Sequence, residues 1–348
     1  MASYSRPLTI IVFIILSAAL WQVLEGYTYR FLFCAIPLLL AAQITLADAL
    51  EDLLTSRLRY GTKWFTLLIA PGTILHELCH LLTALATGCT VTKAALFRPN
   101  PATGVLGFVN YTQPDDKWTV LREFIVGFAP FFGCGIVLLL FNSYFGGSIS
   151  SLIDDSPITD VSQAWGFAQS VASSVFSSFT RMDYGGFAAW VIVYLQLCFT
   201  VGAAPSSTDF KGAFSSLYKH LISSAVFIAL VAAIIFASQR QIPLWGHEAQ
   251  VASYAGVILK FAVTIMLMSI TLIAGMMPLA YLGFKVSEIS GIAKTIPVTS
   301  AALVFYFVNK SYGLKYAAIA AAATLAATMI ILTVSDSQKP PEEKKPKK

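Results

Sequence analysis

Two of the chain's four histidines stand within one helical turn of each other and flank a glutamate, in His76-Glu77-Leu78-Cys79-His80. On an α-helix, residues i and i+4 share a face one turn apart. Both imidazoles can therefore bind one metal ion while Glu77 stands beside the coordination position left open. This is the H-E-x-x-H arrangement of zinc hydrolases, with the glutamate as general base toward metal-bound water. Zn2+ is the implied cofactor, since it brings the pKa of bound water down to about 7 and polarises a carbonyl.

A catalytic zinc normally has three protein ligands and one open place. His220 and His247 flank the sixth apolar run, Glu123 heads the fourth, and Asp183 precedes the fifth. Asp209 follows the fifth run, in the segment Val201 to Gly212. That segment breaks one helix at Pro205 and starts another, so it can bring a carboxylate toward a metal.

The surroundings of the motif argue against an accidental polar face. Leu67 to Ala70 precede it, and Leu75, Leu78, Leu81 and Leu82 enclose it. An ionisable group at the centre of a bilayer costs about 2.5–3.5 kcal/mol even on the mild insertion scale, so it is functional by default. The whole chain fits that setting. Of its 348 residues 57% are hydrophobic and 12% charged, with a mean hydropathy of +0.72. A soluble domain carries about 25% charged residues, so too little polar surface remains to face water.

The expected fold class is thus an all-α polytopic membrane protein in the cell membrane. Apolar runs at 8–26, 31–49, 64–87, 124–142, 186–204, 217–238, 252–281, 290–308 and 315–334 give about nine transmembrane helices. The 252–281 run exceeds one bilayer and must tilt, kink or project into the headgroups. The first run lacks a clear small-x-small cleavage site, so it reads as a retained span and not a signal peptide. Lys93, Arg98, Lys117 and Arg122 place the loop before the fourth run inside, whereas Arg57, Arg59 and Lys63 in the 50–63 loop favour the opposite orientation.

Two connections carry structure. Residues 88–122 contain β-type stretches near Thr90–Phe97 and Gly104–Thr112, joined by the turn formers of Arg98 to Thr103, which predicts a small β-hairpin after the motif helix. Within 143–185, Val161, Trp165, Ala168, Ala172, Val175 and Phe179 recur at helical spacing, as in an amphipathic helix on a membrane surface. The five cysteines show no paired spacing and imply no disulfide framework. Lys339 to Lys348 form a Lys/Pro-rich tail expected to be disordered. No basic patch interleaved with aromatic residues suggests nucleic acid, so the expected partners are the lipid bilayer and other membrane proteins.

With these features the chain resembles the site-2 protease family of intramembrane zinc metalloproteases, over about 64–225. Three features carry the resemblance: the H-E-x-x-H motif within a span, the hairpin-like loop followed by Gly127-Phe128-Ala129-Pro130, and the segment Pro205 to Gly212. That segment sits where the family has a proline-containing Leu-Asp-Gly stretch donating the third ligand. By carry-over His76, His80 and Asp209 bind zinc and Glu77 activates water. The family's Leu-Asp-Gly is here Thr208-Asp209-Phe210, with glycine delayed to Gly212, and Phe131-Phe132-Gly133 stands where the family often has an asparagine. Asp183, in Asp183-Tyr184-Gly185-Gly186, ranks second because it comes before a span.

The implied division is N-terminal helices over 1–63, a metalloprotease-like core over 64–225, C-terminal helices over 226–335 and the tail from 336 to 348. The implied activity is hydrolysis of peptide bonds in or near transmembrane segments of other proteins. An edge strand of the hairpin would hold the unwound substrate by main-chain pairing. The alternative is a non-proteolytic relative that binds a membrane partner through the same fold. A different membrane zinc protease would instead take Glu123 or Glu248 as third ligand, and a transporter would use intramembrane polar residues such as Lys260 and Gln196.

Overall fold

The computed structural model describes residues 5–57, 63–100, 102–103, 105–182, 186–204, 212, 215–216, 219–238, 248–288, 295–312 and 314–337. The chain forms two compact units, Met1–Gly275 and Met276–Lys348. In the first lie α1 (Ser5–Val23), α2 (Arg30–Arg57), α3 (Lys63–Ala86), β1 (Thr90–Ala95), β2 (Phe108–Thr112) and α4 (Thr119–Tyr144). A 3-10 turn (Ile149–Leu152), α5 (Val161–Arg181), α6 (Phe187–Gly202) and α7 (Leu221–Ser238) follow. The long α8 (Glu248–Glu288) begins in the first unit and ends in the second, where α9 (Thr295–Tyr312) and α10 (Leu314–Ser337) pack against each other.

Among the described residues each predicted apolar run overlaps a helix. Among the described residues four stretches are long and apolar enough to cross a bilayer: Arg30–Leu54, Thr66–Ala86, Thr119–Tyr144 and Ser253–Leu282. The other runs contain shorter apolar stretches, such as Phe187–Gly202 and Leu221–Ala233. At 41 residues α8 is roughly 60 Å long, about twice a hydrocarbon core, and it contains Pro278.

The end of α2 differs most from expectation. Residues 50–57, read as part of the 50–63 loop, continue α2 to Arg57. Leu50 and Leu54, four apart, are buried, and that apolar stripe carries the helix past Glu51 and Asp52.

The core of the first unit gathers around α4, whose Phe131, Cys134 and Leu138 meet Leu40 and Ile44 of α2, Val171 and Val175 of α5, and Ile265 and Met268 of α8. Small residues let the helices approach closely. A methyl group at Gly72 of α3 would collide with the backbone of Cys198 in α6, and one at Gly202 would lie 2.7 Å from the Gly72 carbonyl oxygen.

The ends of α3 and α5 follow from their sequences. Gly88, at φ +78°, terminates α3. The Gly88 amide donates to Leu85 O at 3.1 Å and the Cys89 amide to Ala84 O at 2.9 Å, the Schellman pattern that turns the chain into β1. Asp160 caps α5 by accepting from the Gln163 amide at 2.8 Å. The predicted stripe of α5 is only partly the face it buries: Val171, Ser174, Val175 and Ser178 are buried, whereas Val161 and Trp165 are exposed. Hydrogen bonds select that face, because Asn142 of α4 donates to Ser174 O at 3.1 Å and the Ser148 amide to Ser174 Oγ at 2.7 Å.

The polar residues Lys260 and Gln196 are both buried. Lys260 pairs with Asp154 and donates to Ser156 Oγ at 2.6 Å, so its charge has a partner in the loop before α5.

Candidate metal centre

His76, Glu77 and His80 sit in the C-terminal half of α3, where Gly72 brings that helix against α6 and Cys79 Sγ packs on Gly133 of α4. His80 and Glu77 are buried and His76 is half-buried. The two rings lie edge to face, 75° apart, with Nε2 of His76 and Nε2 of His80 separated by 3.2 Å.

The other ring nitrogens settle what that approach means. His76 Nδ1 meets the carbonyl oxygen of Gly202 at 2.9 Å, and His80 Nδ1 meets that of Val126 at 2.8 Å. A carbonyl oxygen only accepts, so each Nδ1 carries a proton and the two Nε2 atoms face each other. Two lone pairs at that distance repel unless a cation lies between them, and either a proton or a metal ion would serve. Two nitrogens on one tetrahedral zinc, at about 2.0–2.1 Å from the metal, would stand about 3.3–3.4 Å apart. The histidine pair fits zinc in spacing, in tautomer and in its backbone partners.

Both acceptor carbonyls come from irregularities of α-helical hydrogen bonding. Gly202 ends α6, so its carbonyl is among those a helix leaves without an internal partner. Val126 precedes Pro130 by four residues inside α4, and proline has no N–H to offer it. Gln43 of α2 donates to Ala203 O at 3.2 Å and helps to fix the end of α6 against the bundle.

The hairpin covers the site. β1 and β2 pair antiparallel from Thr90↔Thr112 to Ala95↔Phe108, with an irregularity between Val91 and Lys93. Val91 and Tyr111 pack against Ala84, Cys89 and Val126, which fixes the hairpin to α3 and α4. Glu123 holds its far end: its carboxylate accepts from Tyr111 OH at 3.1 Å and from Gln113 Nε2 at 2.6 Å. At the near end, a methyl on Gly107 would stand 2.7 Å from Glu77 Cγ, so the backbone leading into β2 lies directly over the glutamate.

These elements enclose a cavity of about 610 Å³. Its walls include His76, Glu77 and His80 from α3, residues Val105 through Tyr111 from the hairpin, and Gly202 and Ala204 from the end of α6. Asp48 and Glu51 of α2 face it as well. Sequence reading passed over these two acids because they stand where a span gives way to charged residues, although their i, i+3 spacing puts them on one helix face.

The third-ligand candidates divide. Asp209 and Asp183 lie outside the described residues, as does His247. Ala204 and Gly212, on either side of the segment containing Asp209, both line the cavity. Glu123 also lines it, with both carboxylate oxygens engaged by the hairpin. His220 is directed elsewhere, with Nδ1 3.0 Å from an oxygen of Asp115. Among the described residues no group of three or more His, Cys, Asp or Glu side chains is placed to hold a metal ion.

The paired histidines, the glutamate beside them and the hairpin over them are thus brought to one cavity. No protein-family model, curated protein or solved structure matches this chain.

Proposed function

We propose that this chain is an intramembrane zinc metalloprotease of the site-2 type, crossing the cell membrane nine times and hydrolysing peptide bonds in or near transmembrane segments of other membrane proteins. The observation that carries the reading is the 3.2 Å approach of two Nε2 atoms whose Nδ1 partners are both backbone carbonyls. His76 and His80 would hold the metal with Asp209 as third ligand, a reading supported by the cavity-lining positions of Ala204 and Gly212. When bound, zinc supplies a water of lowered pKa and a polarising charge for the scissile carbonyl.

The chain's own residues do the rest. Glu77 takes the proton of the attacking water on its carboxylate and returns it to the leaving amine. The Gly202 and Val126 carbonyls hold both imidazoles in the tautomer that leaves Nε2 for the metal. A membrane helix hides its carbonyls in its own hydrogen bonds and must unwind to be cut. β2 lines the cavity, and among the described residues β1 is its only strand neighbour. Its other edge would pair with the unwound segment and keep the scissile bond near Glu77.

The test is Glu77→Gln in the purified full chain with a candidate transmembrane substrate. Zinc content should match that of the wild type while cleavage disappears. Cleavage at the wild-type rate would show that Glu77 is not the base and would remove the catalytic assignment.

A further inference from the structure

The prolines inside α3 and α4 each release the carbonyl four residues earlier, and both released carbonyls are taken by side chains. Pro71 in α3 frees the carbonyl of Leu67, which accepts the hydroxyl of Tyr194. Pro130 in α4 frees that of Val126, which accepts from His80 Nδ1 at 2.8 Å. A residue with an N–H at 130 would direct it at Val126 O along the helix axis. Proline withholds that donor, and its ring also crowds the carbonyl of residue i−4 and tilts it outward. Val126 is only 1% exposed, so solvent is a poor alternative partner for its carbonyl.

On the zinc reading above, we propose that Pro130 is a positioning residue for the metal centre: it keeps the Val126 carbonyl turned toward His80, and so fixes the Nδ1–H tautomer that points Nε2 at the metal. His76 reaches the same tautomer through the end of α6 and needs no proline for it. The two clamps differ in origin, and only the one on His80 depends on a side chain that can be replaced without touching the ligands.

A purely structural role predicts a different outcome from a positioning role. Alanine is the better helix former, so Pro130→Ala should leave α4 at least as stable. The restored N–H would nonetheless compete with His80 for Val126 O. Loss of such an outer partner typically weakens metal affinity by about 10–100-fold.

The experiment titrates zinc against a competing chelator on the detergent-purified full chain, comparing wild type, Pro130→Ala and Pro71→Ala, with thermal unfolding measured alongside. The expected result is affinity at least about tenfold weaker in Pro130→Ala, with its unfolding temperature unchanged or higher, and wild-type affinity in Pro71→Ala. Pro130→Ala binding within about twofold of wild type overturns the role of Pro130 and leaves the zinc reading standing, as does an equal loss in both variants. A wild-type chain that binds no zinc overturns both readings. If Pro130→Ala fails to fold, Pro130→Ser, which likewise restores the N–H, is titrated in its place: affinity at least about tenfold weaker than wild type supports the proposal, and affinity within about twofold overturns it.

Discussion

Replacing Gly107 by alanine tests how far the hairpin, and not only the metal ligands, determines turnover. The added methyl would lie 2.7 Å from Glu77 Cγ, 2.8 Å from Leu96 O and 3.0 Å from Ala95 O. Ordinary contacts of a methyl carbon begin near 3.4 Å, so relief requires a shift of roughly 0.5 Å or more. Two of the three neighbours are backbone oxygens at the end of β1 and cannot rotate away. The displacement must therefore fall on Glu77 or on the strand leading into β2. Overpacking of this kind costs about 1–3 kcal/mol. A misplacement approaching 1 Å at a reacting group costs up to about 100-fold in rate. The histidine clamps come from α4 and α6, not from the hairpin, so zinc affinity should remain within about twofold of wild type while cleavage falls by about 10–100-fold. Zinc titration and substrate cleavage on the same preparation read the two effects separately. Wild-type cleavage by Gly107→Ala would refute the proposed role of the hairpin in holding Glu77 for catalysis.

Three further substitutions probe a buried ion pair and the anchor of the hairpin. Asp154→Asn should destabilise the protein more than Lys260→Met, by about 1–3 kcal/mol against less than about 1, because the first leaves the buried Lys260 ammonium uncompensated and the second leaves only a half-exposed carboxylate. Denaturant unfolding of both variants checks that order. The Lys260 ammonium beside Asp154 holds its carboxyl below the usual carboxylate range, with help from Ser156. A depressed folded value means that this contribution is complete above the unfolded value near ~3.9 and is lost as pH falls through the folded one. The stability gap between wild type and Asp154→Asn should thus be flat from about pH 5 to 8 and close below about pH 4. Glu123→Gln puts an amide N–H₂ where two donors now meet a carboxylate, so it should cost about 1–3 kcal/mol in thermal unfolding. Zinc stoichiometry should not change, and loss of zinc in that variant would make Glu123 a ligand instead.

The parts of the site legible in the sequence are those set by local spacing. The i, i+4 histidines, the turn formers between two β-type stretches and the apolar runs all depend on neighbours within a few residues, and among the described residues a helix or strand overlaps each of these stretches, although β2 starts at Phe108 and not near Gly104. The α2 terminus was missed because the apolar run ends at residue 49 and the two leucines at 50 and 54, both buried, carry the helix onward. In α5 the helix was legible and its buried face only in part, since Ser174 and Ser178 are polar and are buried through hydrogen bonds with distant residues. The histidine clamps join residues 126 and 46 positions apart, and no periodicity records such a pairing. Pro130 is plain in the sequence, but the partner of the carbonyl it frees becomes known only when α3 is packed beside α4.

The central claim is that His76 and His80 share a zinc ion, and metal analysis of the purified chain tests it most directly. Elemental mass spectrometry of wild type, His76→Ala and His80→Ala, after dialysis against a weak chelator, gives zinc per chain. Wild type should carry close to one zinc and either variant almost none, with both variants still folded. A wild-type chain without zinc, or equal zinc in all three, would contradict it.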